Sequence, residues 1–166
     1  MPAMKFTCFR DALLAHGPAR DLKTKLRLYG QFVGSWTMEA QIKRDGGSLF
    51  EGAGEIHFGW VLDGRAVQDV WILPGAFYGT TLRIFDAGIE GWHILWNNPL
   101  SQSYPRMIGR ASGADIVQEG TGEDGKPIRW SFREITPRSF LWLGERTGAS
   151  GALELQTEIF AKRVGG

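Results

Sequence analysis

Cysteine, histidine and net charge are all scarce in this chain, and each scarcity removes a class of function. Cys8 is the only cysteine among 166 residues. A lone thiol closes no internal disulfide and offers no Cys-His zinc spacing, so a reducing, cytoplasmic compartment is expected and a zinc centre is not. The three histidines are His16, His57 and His93, and no cysteine, second histidine or nearby acid completes a triad or metal set around His93. With 19 basic and 18 acidic residues the formal charge is only +1. Nothing there attracts nucleic acid or an anionic membrane surface. No apolar run approaches the length of a membrane span. Arg10 and Asp11 interrupt the apolar part of the N-terminal stretch, which therefore does not read as a signal peptide.

What the chain has in excess is glycine and tryptophan. It carries 23 glycines, about twice the usual frequency of roughly 7%, and 7 tryptophans. Turn glycines combined with large aromatics point to many short strands around an aromatic interior. At this length one domain is expected. Residues 1–18 lack a sustained period and read as a flexible N-terminal arm with a short helix near Phe9 to Ala15. In 19–33, Leu22, Leu26, Tyr29 and Phe32 fall on one helical face with lysines and arginines opposite, which predicts an N-terminal helix. From residue 34 to 166 the period is two. Breaks such as Asp45-Gly46-Gly47, Asp63-Gly64, Pro74-Gly75, Asn98-Pro99 and Asp124-Gly125 divide this part into about ten strands. The pattern predicts an all-β, up-and-down antiparallel barrel.

The hairpins predict which face is inside. A tight turn at Asp63-Gly64 sets Trp60 opposite Val67, Phe58 opposite Asp69 and Ile56 opposite Trp71. A loop at Asp45 to Gly47 sets Ile42 opposite Phe50 and Trp36 opposite Ile56. Both counts select one apolar face, and a slip of one residue would expose all its aromatics. Extension through the looser loop at Pro74 to Phe77 places Asp69 opposite Arg83. It also turns Trp92, Ile94, Trp96 and Asn98 inward and His93 outward. Further on, Ile128, Trp130, Phe132 and Glu134 share a face. Gly52 and Gly54 remove side-chain volume from the inner face, leaving space for a ligand or for a closely packed tryptophan.

Gly34-Ser35-Trp36, at the start of the first barrel strand and preceded by a helix, resembles the G-x-W signature of the calycins. The segments LDGRAVQDV and YGTTLRIFDAGIEGWHILWNN look like those of a bacterial lipocalin-like family of uncharacterised proteins, related in shape to nitrobindins and fatty-acid-binding proteins. The resemblance covers about residues 30 to 163. It implies a calycin barrel in which Trp36 packs at the closed end against a basic residue of the last strand, here Lys162 or Arg163. It also implies an interior able to hold a small apolar or amphipathic ligand. The nitrobindin haem ligand, a histidine on a late strand, has no counterpart between residues 127 and 163, so no cofactor is expected and haem is disfavoured. KRDGGS between the first two strands leaves no room for a helical lid.

These readings converge on a cytoplasmic binding or carrier protein for a small hydrophobic or amphipathic molecule. Asp69 and Arg83 form the expected polar anchor, since buried charges are costly unless paired. Phe58, Trp71, Trp92, Trp96 and Trp130 form the expected aromatic wall, with Asn98 and Tyr104 at a polar mouth. Glu134 completes the candidate site. The alternative is an isomerase or cyclase in the same cavity, with Asp69 or Glu134 as acid or base. A third reading is a ligand-free interaction barrel, a homodimer formed through outward-facing Val70, Ile72 and Leu95.

Overall fold

A computed structural model describes residues 4–165. Ten antiparallel strands, each paired with its neighbours in sequence, close into an up-and-down barrel. They are β2 (Gly34–Lys43), β3 (Leu49–Val61), β4 (Ala66–Leu73), β5 (Phe77–Asp86), β6 (Gly91–Asn97), β7 (Arg106–Ser112), β8 (Asp115–Thr121), β9 (Pro127–Arg133), β10 (Ser139–Thr147) and β11 (Leu153–Arg163). The β11–β2 and β3–β4 ladders complete the circle, so no barrel strand is left with a bare edge.

Before the barrel come a short helix, α1 (Phe9–Leu13), and a two-residue strand, β1 (Leu14–Ala15), which pairs with the end of β3. Within the segment read as a flexible arm, Leu14 and Ala15 thus pair with Val61 and Trp60 of the barrel wall. The first three residues of that segment, and Gly166 at the other end, lie outside the described residues. A single turn of 3₁₀-helix leads into α2 (Lys23–Gly30), where Leu26 and Tyr29 are fully buried. The helix is shorter than the apolar spacing predicts. Phe32 follows it in a turn yet reaches the same core, at 1% exposure.

Alternation explains the strands, and both hairpin registers read from sequence are present. Trp36 faces Ile56 and Ile42 faces Phe50. Ile56 faces Trp71, Phe58 faces Asp69 and Trp60 faces Val67. The β4–β5 register differs from expectation. Leu73 faces Phe77 across a loop of only Pro74 to Ala76, so Asp69 lies opposite Thr81 and Arg83 opposite Val67. A shift of two residues preserves the face, because side chains alternate with period two. Arg83 and Asp69 both still point inward.

Gly52 and Gly54 open no cavity. A Cβ on Gly54 would collide with the Ile72 carbonyl oxygen, and one on Gly52 would press on Phe50 and Leu73. These glycines admit close packing instead. On the outer wall Val70, Ile72 and Leu95 are half-buried.

The closed end shows the Trp36 arrangement in detail. The Trp36 indole donates to the Phe32 carbonyl at 2.8 Å, and the Arg163 guanidinium lies 4.2 Å from the Trp36 ring centroid. Arg163 also donates to the carbonyls of Gln31, Val33 and Pro137, each at 2.7 Å. Between Lys162 and Arg163, it is Arg163 that binds the end of α2 to the last strand. A cation there answers the exposed carbonyls of a helix C-terminus.

Candidate functional site

The inward side chains build three layers along the barrel axis. At the closed end Tyr29, Phe32, Trp36, Phe58, Phe132 and Phe140 make a continuous set of ring contacts. Phe32 stacks on Phe132 at 4.7 Å and Trp36 meets Phe140 edge-on at 4.8 Å. Trp92 belongs here too, with its ring 4.9 Å from Tyr29.

Above these aromatics lies a buried polar layer. Arg83 and Asp69 are 2% and 1% exposed, and Arg83 Nη1 donates to Asp69 Oδ2. The other Asp69 oxygen accepts the Thr81 backbone N–H at 2.8 Å. Arg83 Nε lies 3.4 Å from Gln118 Oε1, which also accepts the Tyr29 hydroxyl at 3.1 Å. Gly109 makes this last bond possible, since a Cβ there would occupy the place of the Tyr29 hydroxyl. Burial pushes the Tyr29 phenol above its ordinary value, and the nearby Arg83 charge opposes this to a smaller degree. The guanidinium also sits 5.0 Å from the Tyr29 ring and 5.6 Å from the Phe132 ring, so aromatic faces share in its stabilisation.

Above the polar layer the barrel is hollow. A cavity of about 340 Å³ has Arg83 in its floor, with Trp71, Trp96, Trp130, Trp142 and Phe77 among its walls. The indoles touch in series: Trp71–Trp142 at 5.7 Å, Trp142–Trp130 at 5.4 Å and Trp130–Trp96 at 6.2 Å. Trp96 lies over Gly79, where a Cβ would collide with its ring. Arg44, Asn98, Ser101, Ser103, Gln156 and Thr157 surround the mouth. A larger concavity of about 860 Å³ is a surface groove beside α2, rimmed by Lys23, Lys25, Arg27 and Arg110, and lies outside the barrel. The interior cavity, enclosed by aromatic walls over a polar floor, has the character of a ligand site.

Of the residues expected at the site, Trp71, Arg83, Trp96, Asn98 and Trp130 line the cavity. Asp69, Phe58 and Trp92 are buried at or below the floor and do not line it. Tyr104 is 49% exposed, and its side chain does not line the mouth. Its backbone N–H donates to Glu123 Oε1 at 3.0 Å, beside the Ser103 hydroxyl at 2.7 Å, which ties the 98–105 loop to the β8–β9 turn. The Ser103 bond, followed by smaller backbone contributions, holds the Glu123 carboxyl below its ordinary value.

Glu134 departs from the expected face altogether. Strand β9 ends at Arg133, and Glu134 adopts a left-handed φ of 49° that turns it into solvent. His93 faces outward as the register requires, with Nε2 2.8 Å from Asp86 Oδ2. That contact lowers the Asp86 carboxyl. His57 also lies on the outer wall, between Ser35 and Glu55.

Sequence reasoning missed Trp142, Phe77, Gln156 and Thr157. Strand β10 reads SFLWLGE, apolar on both faces, so alternation gives no contrast there. Gln156 and Thr157 are adjacent, and both line the cavity because the β10–β11 ladder slips at this point. Gly144 faces Thr157 while Glu145 faces Leu155. The extra residue is a bulge, which re-aims side chains at a barrel rim.

Comparison with known proteins agrees on the architecture. Rv2717c from M. tuberculosis superposes with a TM-score of 0.61, at 16% identity, over 91% of this chain and 99% of its own. The S-type phycobiliprotein lyase CPES from Guillardia theta gives a TM-score of 0.54 at 12% identity, over 88% of this chain and 97% of its own. Identities this low establish a shared lipocalin-like barrel and nothing finer. The sequence matches no protein-family model and no curated protein.

Proposed function

We propose that the protein binds a small, largely aromatic molecule in the open-end cavity. The observation that carries this reading is the wall of four indoles and Phe77 around an empty 340 Å³ space. Small barrels are normally filled by their own side chains. This one is filled only below Arg83. The volume lies at the low end of the roughly 300–1,000 Å³ typical of ligand pockets, which favours a compact ring system over a long acyl chain. Burial of aromatic surface supplies most of the affinity, at about 25 cal/mol per Å². The likeness to a phycobiliprotein lyase is in keeping with a barrel that handles a small molecule.

The make-up of the lining favours binding over turnover. Its charged residues are Arg44 and Arg83, and it holds no carboxylate or histidine. Asp69 is engaged with Arg83 and Thr81, and Glu134 lies in solvent, so neither acid proposed for an isomerase or cyclase reaches the cavity. Haem does not fit the donor set. Among the residues facing the cavity none is histidine, cysteine, methionine or tyrosine, leaving haem iron without an axial ligand from this wall.

The test is a tryptophan-fluorescence titration with neutral fused-ring aromatics, a terpenoid and a fatty acid, repeated on Trp96→Ala. Saturable quenching by the aromatics, weakened about tenfold in the variant, supports the reading. Quenching by none of them would overturn it.

A further inference from the structure

Resting on the cavity-binding reading above, we infer that the ligand is uncharged and enters with a hydrogen-bond acceptor, such as a carbonyl oxygen or a ring nitrogen, at its leading end. Nη1 of Arg83 is taken by Asp69, and Nε lies against Gln118. Nη2 has no protein acceptor among the described residues. Unlike Trp71 Nε1 and Gln118 Nε2, which are sealed in by surrounding atoms, Nη2 is not enclosed. Arg83 is part of the cavity floor, so this N–H is the donor that a bound molecule meets at the bottom of the aromatic shaft.

Charge then selects the chemistry of that acceptor. The Asp69 side chain has no exposed surface and neutralises Arg83 within the floor. A ligand carboxylate would add a second anion beside it in a space walled by indoles, where an uncompensated charge is costly. A ligand cation fares no better, because Asp69 does not face the cavity and both charged lining residues are arginines. At the mouth, Arg44 lies 4.3 Å from the Phe50 ring centroid and donates to the Gly75 carbonyl, well placed to order the rim. A neutral acceptor needs only the Nη2 donor and leaves the floor's charge balance intact. A flat aromatic ketone, aldehyde or azaheterocycle meets these conditions.

The experiment uses three probes of similar size on the full chain near neutral pH: 2-isopropenylnaphthalene, 2-acetylnaphthalene and 2-naphthoate, followed by tryptophan quenching or calorimetry. The expected result is that 2-acetylnaphthalene binds about tenfold more tightly than either of the others, the gain expected of one buried hydrogen bond to a charged donor. In Asp69→Asn, where Arg83 loses its counter-charge, 2-naphthoate should overtake the ketone. Equal affinity for all three, or a wild-type preference for naphthoate, would overturn this inference while leaving the cavity reading intact. No binding by any of the three would sink both. If Asp69→Asn does not fold, the wild-type ranking decides alone.

Discussion

Strand β6 carries Trp92 and Trp96 on one inner face, four residues and roughly 13 Å apart, and the two indoles have opposite surroundings. Trp92 is 2% exposed and packed against Tyr29 and Phe85. Trp96 is half-buried against Phe77 and Trp130 and faces the cavity. Ile94 lies between them, paired with Arg83 of the polar layer. The two ends of the barrel are therefore built from the same residue type for different purposes. Below the Arg83–Asp69 layer, α2 supplies Leu26 and Tyr29, and the turn after it supplies Phe32, to fill the interior. Above it no element among the described residues enters the barrel, and the aromatic walls are left facing a space.

The largest expected effect comes from breaking the boundary itself. Arg83→Met strands the Asp69 carboxylate and should cost about 3–5 kcal/mol in a urea melt. Arg83→Met combined with Asp69→Leu should recover much of that loss. Next comes the same deletion made at each end. Trp36→Ala should destabilise by about 3–5 kcal/mol and leave the affinity for 2-acetylnaphthalene unchanged. Trp96→Ala, whose ring is only partly buried, should cost about 1–2 kcal/mol and reduce that affinity about tenfold.

Titration should separate the ends at opposite extremes of pH. The folded value of Glu123 is depressed, so its contribution is present above its ordinary value of 4.5 and is lost as pH falls through the lowered value. Acid should therefore release the 98–105 loop first, seen as faster amide exchange at Ser103 and Tyr104. The folded value of Tyr29 is raised, so its contribution is complete below its ordinary value of 10.0 and is lost as pH climbs beyond it. Alkali should weaken the closed end, with a shallower loss in Tyr29→Phe. The smallest effect is expected at Glu134, where Glu134→Gln should change stability by less than about 0.5 kcal/mol and ligand affinity not at all.

The closed end was legible in the sequence for a physical reason. The Asp63-Gly64 hairpin at that end fixes the β3–β4 register, and strict alternation then fixes faces, so Trp36, Ile56 and Phe58 could be placed by counting. The open end was less legible because its determinants are irregular. The β4–β5 loop moved the partner of Asp69 from Arg83 to Thr81 without changing the face. A bulge brought Gln156 to the cavity beside Thr157. A left-handed φ at Glu134 itself ended β9 at Arg133. Trp142 was hidden because Leu141 and Leu143 make the outer face of β10 apolar too.

If one end of the barrel is filled and the other receives a ligand, the indole N–H signals of the 7 tryptophans must divide into two groups in an NMR titration with 2-acetylnaphthalene. The signals of Trp71, Trp96, Trp130 and Trp142 should shift saturably while those of Trp36, Trp60 and Trp92 stay in place. Shifts confined to Trp36, Trp60 and Trp92, or no shifts at all, would contradict this division.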